Sequence, residues 1–382
     1  MAELAIAPES ITAQSSHSFA IEAASLILCL RGVTTDIPAE IDWLAFQRLA
    51  EENGVLLPVH RNLMKIGAQM PASFQRAVSV QRAAAEGMAA ELEALLKVFQ
   101  ERSIEVIPLK GPVLALALYD NASMRQANDL DLLVRGGDFP GAEALLIGLG
   151  FAGLGAAGEH DRRFLRGELL VELHFELASP RFFPFEIEGI WDHSHLSDFR
   201  GIPVSAMSAN DLVLYLCAHG LKHGFSRLVW ILDLARALRG WSHGEYRDLV
   251  RQAQSQGLLA WLVIGCEVVR TMFPEQMPEG LDSATARFPV AVKQARRAAQ
   301  QLFPEEPDAE PFDYRALYLQ AEPNPLRRWR YRWLYFAPTP SDNNWAREHH
   351  IHPRLMFLLR PFRLLEKFGP ARVWRILFPS GI

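Results

Sequence analysis

In much of the first hundred residues, hydrophobic residues recur every three or four positions, as on one face of a helix. Within residues 41–53, the apolar side chains of Trp43, Phe46 and Leu49 recur at helical spacing between charged ones, as in a helix with one buried face. An alanine-rich stretch over residues 73–101 combines strong helix formers with an apolar stripe. The pattern predicts helices over residues 18–30, 41–53 and 73–101.

The pattern changes to short strands and helices after residue 103. Residues 104–107 and 129–134 are short apolar runs next to Gly, Pro or Asp, which predicts strands. Pro112 stands at the first position of a predicted helix over residues 112–119, where its missing N–H has no partner to lose. The following pattern predicts a helix over residues 139–149, a third strand over 168–177 and a short fourth strand over 201–204.

Helical spacing returns after residue 207, with a helix over residues 211–222 capped by Ser208 or Asn210 and another over residues 228–239. The predicted fold class is α+β, with a small mixed sheet of three to five strands flanked by helical regions. Four regions are expected: an N-terminal helical region (17–101), an α/β core (102–206), a second helical region (207–301) and a basic, Trp- and Arg-rich helical tail (302–382).

Composition and charge are those of an ordinary globular protein. Hydrophobic residues make up 49% and charged residues 22% of the chain, as in ordinary globular proteins. The net charge of -5 gives no reason to expect a nucleic-acid partner. Cys29, Cys217 and Cys266 are odd in number and far apart, which favours a reducing compartment. The N-terminus lacks a signal-peptide pattern, and no apolar run is long enough to cross a bilayer, so we expect a cytoplasmic protein.

Two carboxylates on the second predicted strand are candidate metal ligands. Side chains alternate across a strand, so Asp129 and Asp131 point to one face while their apolar neighbours point to the other. Adjacent carboxylates repel each other unless a cation lies between them. Mg²⁺ bound to a nucleoside triphosphate fits, because Mg²⁺ takes oxygen ligands and phosphates. The alternative is a solvated strand end at which both aspartates meet water.

Three residues near this strand are candidate phosphate ligands. Gly111 follows a strand and opens a helix, so that backbone N–H groups there can hold phosphate oxygens. Lys110 directly precedes it and reaches the same phosphates as a point charge. Arg125 either binds a phosphate or pairs with an aspartate.

The third predicted strand carries another carboxylate. Glu172, His174 and Glu176 share one of its faces. If this strand neighbours the aspartate strand, Glu172 completes a three-carboxylate site, as a metal ligand or as the base that takes a proton from an attacking hydroxyl. His174 either supports this task or is a half-exposed strand histidine.

Motifs across residues 20–240 resemble one protein family. Residues 108–151 contain Leu-Lys-Gly, an arginine before Asp-Leu-Asp-Leu-Leu-Val, a helix and then Leu-Gly-Phe. Residues 171–174 read Val-Glu-Leu-His, and Asp42-Trp43 and the motifs within residues 219–233 add to the likeness. Together they resemble the uncharacterised nucleotidyltransferase family of the polymerase-beta-like nucleotidyltransferase superfamily.

The resemblance implies the superfamily's fold for the α/β core, a divalent metal, Mg²⁺ or Mn²⁺, and a nucleoside triphosphate as substrate. By position, it implies that Asp129 and Asp131 are the metal pair and Glu172 the third carboxylate. The sequence has Gly111-Pro112 where the superfamily usually has Gly-Ser, so Lys110 is the candidate replacement for the triphosphate-binding serine. Family members often accompany gene sets for peptide natural products or polysaccharides, which suggests a modifying role.

His219 and His223 lie four residues apart on a predicted helix and therefore share a face. A zinc pair of the zincin type needs glutamate at position 220, which is Gly220 here. The preferred interpretation is that both histidines line the nucleotide or acceptor cleft, with Lys222 or Arg227 nearby. Plain helix packing is the alternative.

Residues 321–382 contain eleven Lys and Arg against four Asp and Glu, interleaved with tryptophans. The preferred interpretation is a C-terminal helix packed on the protein, with its arginines solvated or paired. Contact of basic amphipathic helices with an anionic membrane surface or an acidic partner is the alternative.

These features predict a metal-dependent nucleotidyltransferase that acts on an unidentified small-molecule, peptide or protein acceptor. Two alternatives remain at this point: a binding or scaffold protein on a degenerate transferase fold, motivated by the missing serine, and a kinase-like enzyme that transfers the terminal phosphoryl group.

Overall fold

The computed structural model describes residues 19–155, 158, 160–177, 185–277, 288–300, 302–303, 325–338, 342, 345–347, 349–370 and 373–374. The N-terminal segment without a signal-peptide pattern lies outside the described residues. So do residues 17–18 of the predicted N-terminal region and residues 304–324 of the predicted tail.

The first part of the described chain is helical, with α1 (Phe19–Arg31), α2 (Trp43–Glu52), α3 (Leu56–Lys65) and α4 (Ala72–Glu101). Asp42 starts α2, because its carboxylate accepts hydrogen bonds from the backbone N–H groups of the first turn. Trp43 packs edge-on against both Phe46 and Phe74, which joins α2 to α4. Helix α3 was not predicted, whereas α1, α2 and α4 begin and end within two residues of their predicted bounds.

The middle of the chain forms a five-stranded mixed sheet, within the predicted range of three to five strands, but the predicted fourth strand at residues 201–204 lies outside this sheet. Its elements are β1 (Val106–Pro108), α5 (Pro112–Tyr119), β2 (Asp129–Val134), α6 (Phe139–Gly148), β3 (Ala152–Leu154), β4 (Asp161–Arg166) and β5 (Leu169–His174). The strand order is β1-β2-β5-β4-β3, with β2 and β5 parallel and the other neighbours antiparallel. Strands β3 and β4 were not predicted, and β5 ends three residues before the predicted end at residue 177.

The parallel pairing of β2 with β5 positions the acidic residues. In this register Asp131 is the partner of Glu172. Because side chains alternate along a strand, their apolar neighbours Leu132 and Leu173 point to the other face, where both are fully buried. One face of the strand pair therefore belongs to the hydrophobic core and the other carries carboxylates.

A short helix and a two-stranded sheet connect this sheet to a second helical region. The elements are α7 (Ile187–Asp192), β6 (His195–Phe199), β7 (Ile202–Ala206), α8 (Ala209–Lys222), α9 (Leu228–Leu238), α10 (His243–Ser255), α11 (Leu259–Met272) and α12 (Pro289–Gln300). Ser208 rather than Asn210 caps α8, since its hydroxyl accepts a hydrogen bond from the backbone N–H of Asp211. Helix α11 is buried along nearly its whole length and packs against α8 and α9, which fixes their positions beside the sheet.

The C-terminal region contributes helices α13 (Pro325–Phe336) and α14 (Met356–Phe368). Arg360 and Arg363 pair with Asp342, which lies in the same C-terminal region, so packing of the tail on the rest of the protein stays a prediction. Phe357 and Phe362 on α14 are nevertheless 65% and 69% exposed, so contact with a membrane surface or partner stays a prediction. Among the described residues, no helix is both long enough and apolar enough to cross a membrane.

Candidate functional site

A cleft of about 270 Å³ lies between strands β2 and β5 on one side and helices α8 and α9 on the other. Eight of the nine residues singled out from the sequence line it: Lys110, Arg125, Asp129, Asp131, Glu172, His174, His219 and His223. The ninth, Gly111, adjoins the lining residue Lys110. Residues from distant parts of the sequence thus meet in one cleft.

Asp131, Glu172 and His174 form an acidic and imidazole cluster on the floor of the cleft. One potential ligand atom from each residue lies within 4.8 Å of the other two. His174 Nε2 lies 3.2 Å from Asp131 Oδ1 and 3.8 Å from Glu172 Oε2. Asp129 lines the same cleft but is not a member of this group.

The hydrogen bond between His174 and Asp131 orients both side chains. A carboxylate only accepts hydrogen bonds, so Nε2 of His174 carries a hydrogen atom and donates a hydrogen bond to Asp131. His174 is 4% exposed and therefore not the half-exposed strand histidine of the alternative interpretation. Its Nδ1 is buried without a hydrogen-bond partner among the described residues.

The three carboxyl groups of the cleft differ in their tendency to ionise. Burial opposes ionisation of Asp131, but Lys110 and His174 outweigh it and hold the pKa of Asp131 well below its usual range. Burial raises the pKa of Asp129, and the neighbouring charge of Asp131 raises it further. Burial and the charge of Asp131 likewise raise the pKa of Glu172. The floor therefore holds one firmly ionised carboxylate beside two that are costly to ionise without a cation.

Lys110 and Gly111 form the turn between β1 and α5. Lys110 Nζ lies 3.0 Å from Asp131 Oδ2. Burial opposes the charge of Lys110, yet Asp131 outweighs burial and raises the pKa of the lysine above its usual value. Gly111 has φ of +70°, a conformation that glycine adopts without strain, and a β-carbon at this position would lie 3.8 Å from the backbone oxygen of Asp129. The turn thus brings the start of α5 next to the strand that carries the aspartates.

Arg125 has a protein partner on the helical side of the cleft. Its Nε donates a 2.8 Å hydrogen bond to Oδ2 of Asp233, which is fully buried in α9. The hydroxyl of Tyr119 donates to the other carboxylate oxygen of Asp233 over 2.7 Å. Asp233 thus pairs with Arg125 and at the same time accepts from Tyr119. Of the two roles predicted for Arg125, the structure shows pairing with an aspartate, which lies more than a hundred residues away in the sequence.

Aromatic side chains of α8 and α9 form the wall opposite the carboxylates. The ring centroids of His219 and His223 are 4.7 Å apart, and Trp230 lies 5.5 Å from the first and 5.0 Å from the second. Burial lowers the pKa of His219 well below its usual value and that of His223 to about 4, and nearby lysines lower both further. Both imidazoles are therefore neutral at pH 7.

Gly220 allows α8 and the turn after it to approach closely. A β-carbon at this position would lie 2.1 Å from the ring of Phe225, which is buried against the helix. Phe225 itself has φ of +50° in the turn that leads into α9. The absence of a side chain at Gly220 thus sets the spacing of the aromatic wall.

The sequence analysis missed part of this wall. Tyr215 and Trp230 line the cleft, but neither was proposed as a site residue. The available signal was the spacing of Tyr215, His219 and Lys222 along one helical face, three or four residues apart. Trp230 had no such signal, because its approach depends on the turn between α8 and α9.

The residues on the floor fit a divalent cation. Two carboxylates and one imidazole meet within ligand distance of one another, and Asp129 adds a carboxylate in the same cleft. Oxygen ligands suit Mg²⁺ and Mn²⁺, whereas an imidazole in the set favours transition metals over Mg²⁺. Asp131 and Asp129 are the residues that would hold the ion, with Glu172 as a third ligand or as the base and His174 as the group that orients Asp131.

Parts of the chain are similar to known proteins. The sequence profile of an uncharacterised nucleotidyltransferase family matches residues 39–274, more than half of the chain. The solution structure of antibiotic-resistance factor ANT(2'')-Ia is 15% identical, with a TM-score of 0.37 over 45% of this chain and 94% of that chain. The crystal structure of ANT(2'')-Ia in complex with adenylyl-2''-tobramycin is also 15% identical, with a TM-score of 0.34 over 45% and 99% of the two chains. No curated protein matches the chain. The profile match spans both walls of the cleft.

Proposed function

Because the chain belongs to the uncharacterised nucleotidyltransferase family, we propose that it transfers a nucleotidyl group from a nucleoside triphosphate to an acceptor hydroxyl or phosphate, with a divalent metal ion. In this reaction an acceptor oxygen bonds to the α-phosphorus, the bond from that phosphorus to the bridging oxygen breaks, and pyrophosphate leaves. The acceptor is a small molecule, a peptide or a protein.

The observation that carries this proposal is the meeting of Asp131 with Glu172 across paired strands, beside Lys110. A buried cluster of carboxylates costs folding free energy, since each charge loses water and repels its neighbours. Proteins keep such clusters mainly where function needs them. A metal–triphosphate complex brings both a cation for the carboxylates and anionic oxygens for the lysine.

Lys110 and Arg125 are the proposed phosphate-binding residues of the cleft. Lys110 holds Asp131 in the structure, and a phosphate oxygen offers its ammonium group a second anionic partner. Arg125 has its Nε committed to Asp233, so that the rest of its guanidinium is held in one orientation on the cleft lining. A guanidinium fixed in this way binds a phosphate with little further loss of side-chain entropy.

Glu172 is the proposed base. Burial and the charge of Asp131 raise the pKa of Glu172 above its usual value, which favours the uptake of a proton by this carboxylate. A carboxylate oxygen of Glu172 takes the proton of the acceptor hydroxyl as the new bond to phosphorus forms. A bound divalent cation would supply neutralisation of the charge on the phosphates.

The proposal is tested by transfer of label in a cell lysate. Purified protein is incubated with lysate and with ATP, CTP, GTP or UTP labelled on the α-phosphate or, in parallel, on the γ-phosphate. We expect a labelled acceptor from the α-labelled nucleotide only. Asp131→Asn should abolish labelling, whereas Asp192→Asn, the same change at an exposed aspartate, should leave it intact.

The other outcomes separate the alternatives. Labelling from the γ-phosphate alone means phosphoryl transfer, the kinase-like alternative. A second candidate function is a binding or scaffold protein, which Gly111-Pro112 favours because no serine follows the glycine. Nucleotide binding without transfer of either label, in the presence of Mg²⁺ or Mn²⁺, would support the scaffold and contradict the enzyme.

A further inference from the structure

The wall formed by α8 and α9 differs in chemistry from the floor of the cleft. The eight side chains that α8, α9 and the turn between them place on the lining include no carboxylate: Tyr215, Ala218, His219, Lys222, His223, Arg227, Val229 and Trp230. The floor binds charge, whereas this wall presents rings with two cations at its edge. The two surfaces therefore suit different parts of one ligand.

The three rings of the wall are close enough to act as one aromatic surface, defined here as the ring platform of His219, His223 and Trp230. His223 is tilted 36° from Trp230, whereas His219 stands perpendicular to the indole. Ring pairs at these separations attract each other beyond their apolar contact. Both imidazoles are neutral at pH 7, so the platform carries little charge of its own, and all three residues line the cleft.

The ring platform is electrostatically connected to the floor. The charges of Lys110 and Asp131 act on both His219 and His223. Arg227 lies at the edge of the platform, with its guanidinium carbon 6.0 Å from the centre of the Trp230 ring, and interacts with the charge of Asp129. A molecule anchored by phosphates at Lys110 can thus extend to the platform within the same cleft.

We propose that the base of the nucleoside triphosphate stacks on the ring platform of His219, His223 and Trp230, with Arg227 at its edge. This inference rests on the proposed function and names the part of the cleft that distinguishes a nucleoside from a bare phosphate chain. Stacking on aromatic faces is tolerant of the identity of the base, because every base has a π-face. The acceptor then approaches from elsewhere in the cleft.

The test compares ligands with and without a base. Isothermal titration measures the binding of Mg²⁺-ATP and of Mg²⁺-tripolyphosphate to the full chain, the Trp230→Leu variant and the Trp230→Phe variant. Trp329→Leu, the same change at a 60% exposed tryptophan outside the cleft, is the matched control. We expect Trp230→Leu to weaken ATP binding by roughly 10- to 100-fold, as the loss of a stacking partner does.

Tripolyphosphate separates this inference from the proposed function. Its affinity should be the same in all four proteins, which also shows that the variants fold. Trp230→Phe should retain most of the ATP affinity because it retains a ring. Equal ATP affinity of the wild type and Trp230→Leu overturns the platform, and so does a wild type that binds ATP no better than tripolyphosphate. Binding of neither ligand overturns the platform and the proposed function together.

Discussion

Replacing Asp233 by alanine should destabilise the protein strongly, because it removes the partner of a buried cation. In the structure Asp233 is 0% exposed, and the side chain of Arg125, its partner at 2.8 Å, is 6% exposed. Leaving one member of a buried ion pair alone costs about 3–5 kcal/mol. The hydroxyl of Tyr119 also loses the acceptor that it bonds over 2.7 Å, which costs about 1–3 kcal/mol when taken alone.

These two costs overlap, since Arg125 lines the cleft and can recover some hydration there. We therefore expect Asp233→Ala to lower the free energy of unfolding by about 3–5 kcal/mol in total. Urea unfolding, followed by far-UV circular dichroism, measures the change. Asp248→Ala is the matched control, because Asp248 is 62% exposed and its ion pair is with the exposed Arg251. This change should cost less than about 0.5 kcal/mol.

A double variant separates charge from packing. Replacing Arg125 by Met and Asp233 by Leu removes both charges and keeps apolar volume, so it should unfold at higher urea concentration than Asp233→Ala alone. A loss below about 1 kcal/mol for Asp233→Ala would refute the reasoning, because an uncompensated guanidinium in this position must cost more than that.

Three further changes test other parts of the structure. Gly220→Ala should cost about 1–3 kcal/mol, because the new methyl group meets the ring of Phe225, and unchanged urea unfolding would contradict that contact. Burial holds the pKa of His223 at about 4, against 6.5 in the unfolded chain, so the unfolded state binds more protons between these values and stability should fall as the pH drops through this window. His223→Gln should therefore show a flatter fall in unfolding free energy from pH 6.5 to 4, and parallel curves would argue against it. Burial and the charge of Asp131 disfavour the ionised form of Asp129, so Asp129→Asn should unfold at a higher urea concentration than the wild type at pH 7 while it loses transfer activity. A variant less stable than the wild type would contradict the claim that ionised Asp129 destabilises the fold.

The sequence predicts the elements that follow simple local rules. Strand β2 was predicted at its observed bounds, because its apolar run is framed by two aspartates and a double glycine. Helix α5 was also predicted at its bounds, since Pro112 marks its first position. Local chemistry decides such boundaries, so they can be read without tertiary structure.

Other elements depend on contacts that the sequence does not display. Strand β4 contains Arg162, Arg163 and Arg166 and buries only Phe164, so its apolar pattern is nearly absent. Two of its arginines form ion pairs with helices: Arg162 pairs with Glu143 of α6, and Arg166 pairs with a glutamate of α4. A strand stabilised by charge pairing to distant helices gives no hydrophobic period to detect.

The sequence predicts which carboxylates form the floor of the candidate site, but it does not predict how the residues of the site are arranged in space. Alternation along β2 places Asp129 and Asp131 on one face, whichever strand lies beside them. The pairing of Asp131 with Glu172 requires β2 and β5 to be parallel neighbours in one particular register, which is a property of the folded sheet. The link from Arg125 to Asp233 spans 108 positions and is likewise set by packing.

The most direct test of the carboxylate site is the dependence of nucleotide binding on a divalent ion. Isothermal titration of ATP into the full chain is carried out with Mg²⁺, with Mn²⁺ and with excess EDTA, and is repeated with Asp131→Asn. The account predicts binding in either metal, loss of binding in EDTA and weak or no binding by the variant. ATP affinity that is equal with metal and with EDTA, or that is unchanged in Asp131→Asn, would contradict it.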